Sequence, residues 1–155
     1  MITIKQILDP EEKSNLCRRI TARLPEYFGI PEANAKYAEG IKTREVFACY
    51  LPGMEPIGII ALHKPFPNNA DIYWLGIDPK FHRQGIGHKL MEAAVEYCKK
   101  ANCQTITVET LSPKENDPNY LKTYEFYKKL GFMPLFELQP YGPEFSMVYM
   151  VKILQ

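Results

Sequence analysis

Apolar positions along this chain switch between two periods, and the switches mark its elements. Residues 2–8 predict a strand. Asp9 then stands where a helix cap belongs, with Pro10 in the first helical position and Glu12 completing a capping box. Leu16, Ile20 and Leu24 give that helix one apolar stripe until Pro25 stops it, and Pro31 begins a short second helix carrying Ala33, Ala35 and Tyr37 toward Gly40. From Glu45 the period becomes two. Strands at 45–51 and 56–63 are joined through Pro52-Gly53, and a third at 70–77 follows Pro67-Asn68-Asn69, which together predict an antiparallel meander. A helical pattern beginning at His88 sets Leu90, Met91, Ala94, Val95 and Cys98 on one face, and the β-branched run 105–108 follows at once. Strand, helix and strand make one βαβ unit, hence one parallel pair. Residues 112–119, Ser-Pro-Lys-Glu-Asn-Asp-Pro-Asn, form a polar loop at the end of the sheet where ligands usually bind. A helix ending at Gly131 as its C-cap residue comes next, then strands near 132–138 and 145–153 around Pro140-Tyr141-Gly142-Pro143. The fold class is α/β in the α+β sense: a mixed, mainly antiparallel sheet flanked by helices, in a single domain over residues 1–155.

Composition narrows the partners. The 19 Lys plus Arg nearly balance the 18 Asp plus Glu, so no basic field points to nucleic acid or an anionic membrane, and a small-molecule or peptide substrate is favoured. The start Met1-Ile2-Thr3-Ile4-Lys5 lacks a basic segment followed by an apolar run and a small-residue cleavage site, and no 18 apolar residues run together, so a cytoplasmic, soluble protein is expected. Cys17, Cys49, Cys98 and Cys103 show neither a Cys-x-x-Cys pair nor a histidine at zinc spacing. They read as reduced, packed thiols, with no metal role.

The chemistry-bearing stretch is Asp78-Pro79-Lys80-Phe81-His82-Arg83-Gln84-Gly85-Ile86-Gly87, between the third meander strand and the helix at His88. Gly85 and Gly87 can adopt dihedrals closed to other residues, and with no Cβ they let a ligand reach main-chain N–H groups at the positive end of the helix. A pyrophosphate ligand follows. A nucleoside-triphosphate loop would need Gly-Lys-Ser/Thr, but Gly87 is followed by His88 and Lys89. A dinucleotide turn would need a third glycine where Leu90 stands, although Glu109 could mimic its ribose-binding acid, so that reading is the weaker one.

The turn His82-Arg83-Gln84-Gly85-Ile86-Gly87 resembles the acetyl-CoA-binding motif of the GNAT superfamily of N-acetyltransferases, in which Gln or Arg, two residues, Gly, one residue, and Gly or Ala follow in order. His82 departs from the usual first residue. A second match, Asn119-Tyr120-Leu121-Lys122-Thr123-Tyr124-Glu125-Phe126-Tyr127-Lys128-Lys129-Leu130-Gly131-Phe132, is similar to the family's late helix with a tyrosine four residues before Gly-Phe. The resemblance implies acetyl-CoA as co-substrate, a homodimer as a possible assembly, and a set of roles. Main-chain N–H groups of Arg83, Gln84, Gly85, Ile86, Gly87 and His88 would hold the pyrophosphate, with the rings of His82 and His88 mattering less than their backbones. The Ile77 main chain would bond the pantetheine arm and thioester oxygen. Tyr127 would protonate the departing thiolate, with Tyr124 as fallback, and Asn119 would bond the pantetheine arm.

Each role has a plainer competitor. Tyr120, Tyr124, Tyr127 and Leu130 recur at helical spacing and suit a packed stripe; Ile77 suits a core strand; Asn119 is a good N-cap residue; and His63 suits a strand near solvent. An alkylammonium acceptor, with a pKa near roughly 10.4, must lose a proton, and Glu109 is the first candidate base because its strand follows the donor helix. A solvated strand-end carboxylate is its plain reading, and Asp71 the second candidate. Tyr27, Phe28, Tyr37, Tyr73 and Trp74 could line an acceptor pocket or simply fill the core, and Glu115 and Asp117 could attract a cation. Cys98 and Cys103 have no histidine nearby in sequence to activate them, which argues against a cysteine relay. The resulting expectation is an acetyl-CoA-dependent N-acetyltransferase acting on a primary amine by direct attack in a ternary complex; the alternative is a non-catalytic acyl-CoA-binding or regulatory module of the same fold.

Overall fold

A computed structural model describes residues 1–155. Seven strands and four α-helices follow in the order β1 (Thr3–Ile7), α1 (Pro10–Ala22), α2 (Pro31–Gly40), β2 (Glu45–Tyr50), β3 (Gly58–Phe66), β4 (Asn69–Ile77), α3 (Ile86–Lys100), β5 (Thr105–Leu111), α4 (Pro118–Lys129), β6 (Met133–Leu138) and β7 (Met147–Ile153). The strand order is β1-β2-β3-β4-β5-β7-β6. β1 pairs antiparallel with β2, and β2 with β3, while β4 and β5 make the parallel pair through Asn69↔Thr105, Ala70↔Ile106 and Asp71↔Thr107. β7 inserts between β5 and β6, antiparallel to both. No helix is long and apolar enough to cross a membrane.

The chain forms two units, Met1–His63 with Ile72–Tyr97, and Lys64–Asp71 with Cys98–Gln155. In the first, the Asp9 side chain accepts from the Glu12 N–H at 2.8 Å and starts α1, whose Leu16, Cys17 and Ile20 are buried with Ile41, Val46 and Trp74. In α2, which begins at Pro31 as expected, Ala38 is buried and Ala35 exposed, while Tyr37 is half-buried and packs on Tyr73 at the edge of the core. Two of the boundaries move: β3 runs on to Phe66, and β4 begins at Asn69, leaving Pro67 and Asn68 as the turn.

In the second unit, Ile106, Val108 and Thr110 of β5 are buried, while Thr107, Glu109 and Leu111, alternating with them, are half-buried. β5 therefore extends past Val108 to Leu111, so Glu109 sits within the strand and not at its end. α4 packs on β5 and ends as a Schellman motif: Phe132 N–H donates to the Tyr127 carbonyl at 3.0 Å and Gly131 N–H to that of Lys128 at 3.0 Å, with Gly131 at φ 92°. The accompanying apolar contact is between the Tyr127 and Phe132 rings, whose centroids are 5.4 Å apart. Lys152 donates to the Leu130 carbonyl at 2.6 Å, placing a cation at the negative end of the helix.

Candidate active site

In the first unit, β4 ends at Ile77 and the chain passes through a short 3₁₀ turn, Pro79–Phe81, into α3. Asp78 fixes this exit three ways. Its carboxylate accepts from the Lys80 N–H at 2.9 Å and from Arg23 Nε at 2.9 Å, while its own N–H donates to the Ile57 carbonyl at 2.8 Å. The His82 ring has a structural part as well: Nε2 lies 2.8 Å from the Ile77 carbonyl and so carries the proton that closes the loop. His88 likewise uses its ring, which meets Glu92 one turn on at 2.7 Å.

Two turn positions, separated by Gln84, are left-handed. Arg83 has φ 63°, an uncommon choice for a residue with a side chain, and Gly85 has φ 78°. Gly85 is the helix N-cap, since its carbonyl accepts from the Lys89 N–H at 3.1 Å, and a Cβ placed on it would meet nothing within 4 Å. The space over Gly85 is thus open to a ligand. α3 begins at Ile86 instead of His88, so Gly87 lies within the first helical turn and needs no positive φ; its part in the turn is not that of Gly85. Ile86 and Gly87 are buried, while Arg83, Gln84, Gly85 and His88 are exposed. The first N–H groups of α3 lack intrahelical acceptors and carry the positive end of the helix dipole, which is what an anionic pyrophosphate requires.

The second unit holds Tyr127, Asn119, Glu109 and Asp71. Tyr127 is 4% exposed, wedged between Phe126 (5.3 Å) and Phe132 (5.4 Å). Burial pushes its phenol above the ordinary 10, with the charges of Asp71 and Tyr120 adding to the effect. The group is neutral at any physiological pH. Asn119 is not the N-cap: Asp117 is, accepting from the Asn119 N–H at 2.9 Å and the Tyr120 N–H at 3.1 Å, because Pro118 at the next position already has the helical φ.

Glu109 has partners that sequence reasoning missed. Tyr149, directly opposite it in the β5–β7 ladder, donates to Oε2 at 2.5 Å, and Tyr141, from the connection between β6 and β7, donates to Oε1. The Tyr149 phenol is pushed up to about 12 by burial, by its bond to Glu109 and by the charges of Glu109 and Asp71. Asp71 accepts from the Thr107 hydroxyl at 2.6 Å. The tyrosines became visible only with the strand order, since β7 is remote from β5 in sequence and lies beside it only through the insertion before β6.

Of the aromatic residues suggested for the acceptor, Phe28 stacks on Trp74 at 5.1 Å and 25°, and Trp74 is a core residue at 3% exposure. Tyr73 packs on Tyr37 and lies under the Arg44 guanidinium at 4.6 Å. In the first unit these rings fill the core and its rim. All four cysteines are buried and free of disulfides.

Comparison with known proteins agrees with this geometry. The Acetyltransferase (GNAT) family pattern matches residues 14–132, and the chain belongs to that family. An uncharacterized N-acetyltransferase from Methanocaldococcus jannaschii is 35% identical over 92 residues, 56% of this chain; the match spans 38% of that relative's length. Among solved structures, a GNAT-family protein from Desulfovibrio desulfuricans superposes over 100% of both chains with a TM-score of 0.83 at 16% identity. A streptothricin acetyltransferase homologue from Bacillus anthracis, solved in complex with acetyl coenzyme A, matches 72% of this chain and 63% of its own with a TM-score of 0.63 at 23% identity. At such identities the likeness is one of fold.

Proposed function

We propose that this chain is an acetyl-CoA-dependent N-acetyltransferase that acts on a primary amine by direct attack in a ternary complex. The observation that carries the reading is the turn into α3: a left-handed Gly85 whose Cβ position is open, leading to the unpaired N–H groups of a 15-residue helix. Membership of the GNAT family supports acetyl-CoA as the anionic ligand for it. When bound, that donor supplies an activated thioester carbonyl.

The chain's own residues divide the remaining work. Backbone N–H groups of residues 83–88 hold the pyrophosphate, with the helix dipole adding roughly 0.3–1 kcal/mol. The Ile77 main chain aligns the pantetheine arm. Glu109 takes a proton from the acceptor's ammonium group, directly or through water, leaving a lone pair to attack the carbonyl. Tyr127 gives its proton to the sulfur as the C–S bond breaks, and the proton released by the amine returns to the phenolate through solvent. The amide and the free thiol account for every atom. A phenol held above 10 is protonated at physiological pH but is the weaker acid for it, so its proton moves only as charge builds on the departing sulfur; positioned general acids are worth about 10²–10⁴ in rate.

The test is thiol release from acetyl-CoA over a panel of polyamines, aminoglycosides, amino acids and peptides, with wild type, Tyr127→Phe and Glu109→Gln. Turnover with one amine class, reduced at least roughly a hundredfold in Tyr127→Phe, supports the reading. Tight donor binding with no turnover across the panel points instead to a binding module, and full turnover in Tyr127→Phe removes that residue from the chemistry.

A further inference from the structure

Both oxygens of the Glu109 carboxylate already accept a phenol, and the two donors are built differently. Tyr149 is fixed. It faces Glu109 across the antiparallel ladder, and Phe136 of β6 stacks on its ring at 5.2 Å and 27°. Tyr141 reaches Glu109 from a loop, is 60% exposed, and sits beside Gly142 at φ 112° in the turn linking β6 to β7. A carboxylate offers about four lone-pair positions, so two phenols leave room for a third donor, and of the two it is the exposed Tyr141 that occupies Oε1.

We infer that Tyr149 is a positioning residue that aims the Glu109 carboxylate, and that Tyr141 is a placeholder which the acceptor's ammonium group replaces at Oε1. The inference rests on Glu109 as the base. An ammonium donor is the better partner for that oxygen, because its bond to a carboxylate joins two charges, whereas the phenol brings none. Asp71, on the adjacent strand and close enough for its charge to act on Tyr149, adds to the attraction. Once Tyr141 has swung aside, Tyr149 still holds Oε2. The carboxylate then keeps its direction while Oε1 receives the proton from nitrogen, leaving the neutral amine that attack on a carbonyl requires.

The experiment compares wild type, Tyr149→Phe, Tyr141→Phe, Phe136→Leu and Glu109→Gln in steady-state kinetics with the amine that turns over best, alongside thermal unfolding and an absorbance titration of the tyrosinates. Tyr149→Phe is expected to lower kcat roughly tenfold or more with the acetyl-CoA KM unchanged, since one bond to a charged group is lost. Phe136→Leu, which frees the ring and keeps the phenol, gives a smaller loss of the same kind and serves if Tyr149→Phe folds poorly. Tyr141→Phe removes the competitor, so the acceptor KM falls about threefold or more; a rise would overturn the placeholder role. In Glu109→Gln the Tyr149 phenol should ionise at a lower pH than in wild type, because the carboxylate's bond and charge are lost while burial, the larger cause, stays. If Glu109→Gln is impaired while Tyr149→Phe and Phe136→Leu both match wild type, the positioning role falls and the base survives. If Glu109→Gln turns over as wild type, the base reading itself fails and takes the inference with it.

Discussion

Replacing Gly85 with alanine separates two things that a glycine in a turn can do. Its φ of 78° is costly for any L-residue, about 1–2 kcal/mol, whatever surrounds it. No clash adds to that, because a Cβ there meets nothing within 4 Å. In a chain of this length each kcal/mol lowers Tm by roughly 2–4 °C, so strain alone predicts a drop of about 2–8 °C. Strain common to the free and bound states leaves donor affinity untouched. A pyrophosphate seated over Gly85 would also meet the new methyl group, and losing one charge-assisted bond to the turn costs about 1.5–3 kcal/mol, or roughly 10- to 100-fold in Kd. Gly131→Ala is the matched control: it has φ 92°, its Cβ would come to 3.0 Å only from the flexible end of Lys152, and it lies at the end of α4. Calorimetric titration with acetyl-CoA, beside thermal unfolding, reads both effects. Both variants should lose stability, and Gly85→Ala alone should lose affinity. Equal donor Kd in Gly85→Ala and wild type, with Tm lowered as expected, would refute the cradle while leaving the strain argument intact.

Three further outcomes follow from the packing. Gly76→Ala should destabilise by about 1–3 kcal/mol in urea unfolding, because its Cβ would lie 2.3 Å from the rigid Trp74 indole; a neutral result would mean that ring moves freely. Asp117→Ala should cost about 1 kcal/mol through loss of the cap on two N–H groups of α4, and Asn119→Ala less, the reverse of what an Asn119 cap would give. Stability should fall as pH rises above about 9. Burial lifts Cys17 from 9.0 to about 11 and Cys98 to about 12, so the unfolded chain releases those protons first, and stability present below 9 is lost as pH climbs through those higher values. Urea midpoints at rising pH check the sign, and a midpoint that climbs from about pH 9 to 10 would contradict it.

The parts legible in sequence were those in which neighbours in the chain are neighbours in space. The Asp9 cap and the Gly131 C-cap each follow from residues within a few positions of one another, and the βαβ unit from strand, helix and strand following in direct succession. The late-helix pattern also acquires a physical reason: Tyr127, Gly131 and Phe132 are the C3, C′ and C″ residues of one Schellman motif, so the spacing needed for a cap is also the spacing that buries the tyrosine. Asn119 misled because Asn is a good cap residue, yet an Asp-Pro pair just before it caps better. The bond from the His82 ring was not legible because nothing in a linear pattern shows that a ring reaches back to the carbonyl of Ile77. The surroundings of Glu109 were out of reach for a different reason. Tyr149 stands 40 residues away and meets it only because β7 enters the sheet between β5 and β6, an order that alternating hydrophobicity does not encode.

The most direct test of the central claim is to follow acetyl-CoA labelled with carbon-13 at the thioester carbonyl by NMR as the protein is mixed with the amine panel. Acetyl transfer by direct attack predicts that the thioester signal is replaced by an amide carbonyl on one amine class, in step with thiol release and with no label retained on the protein. A thioester signal unchanged across the panel, or label found on the protein itself, would contradict it.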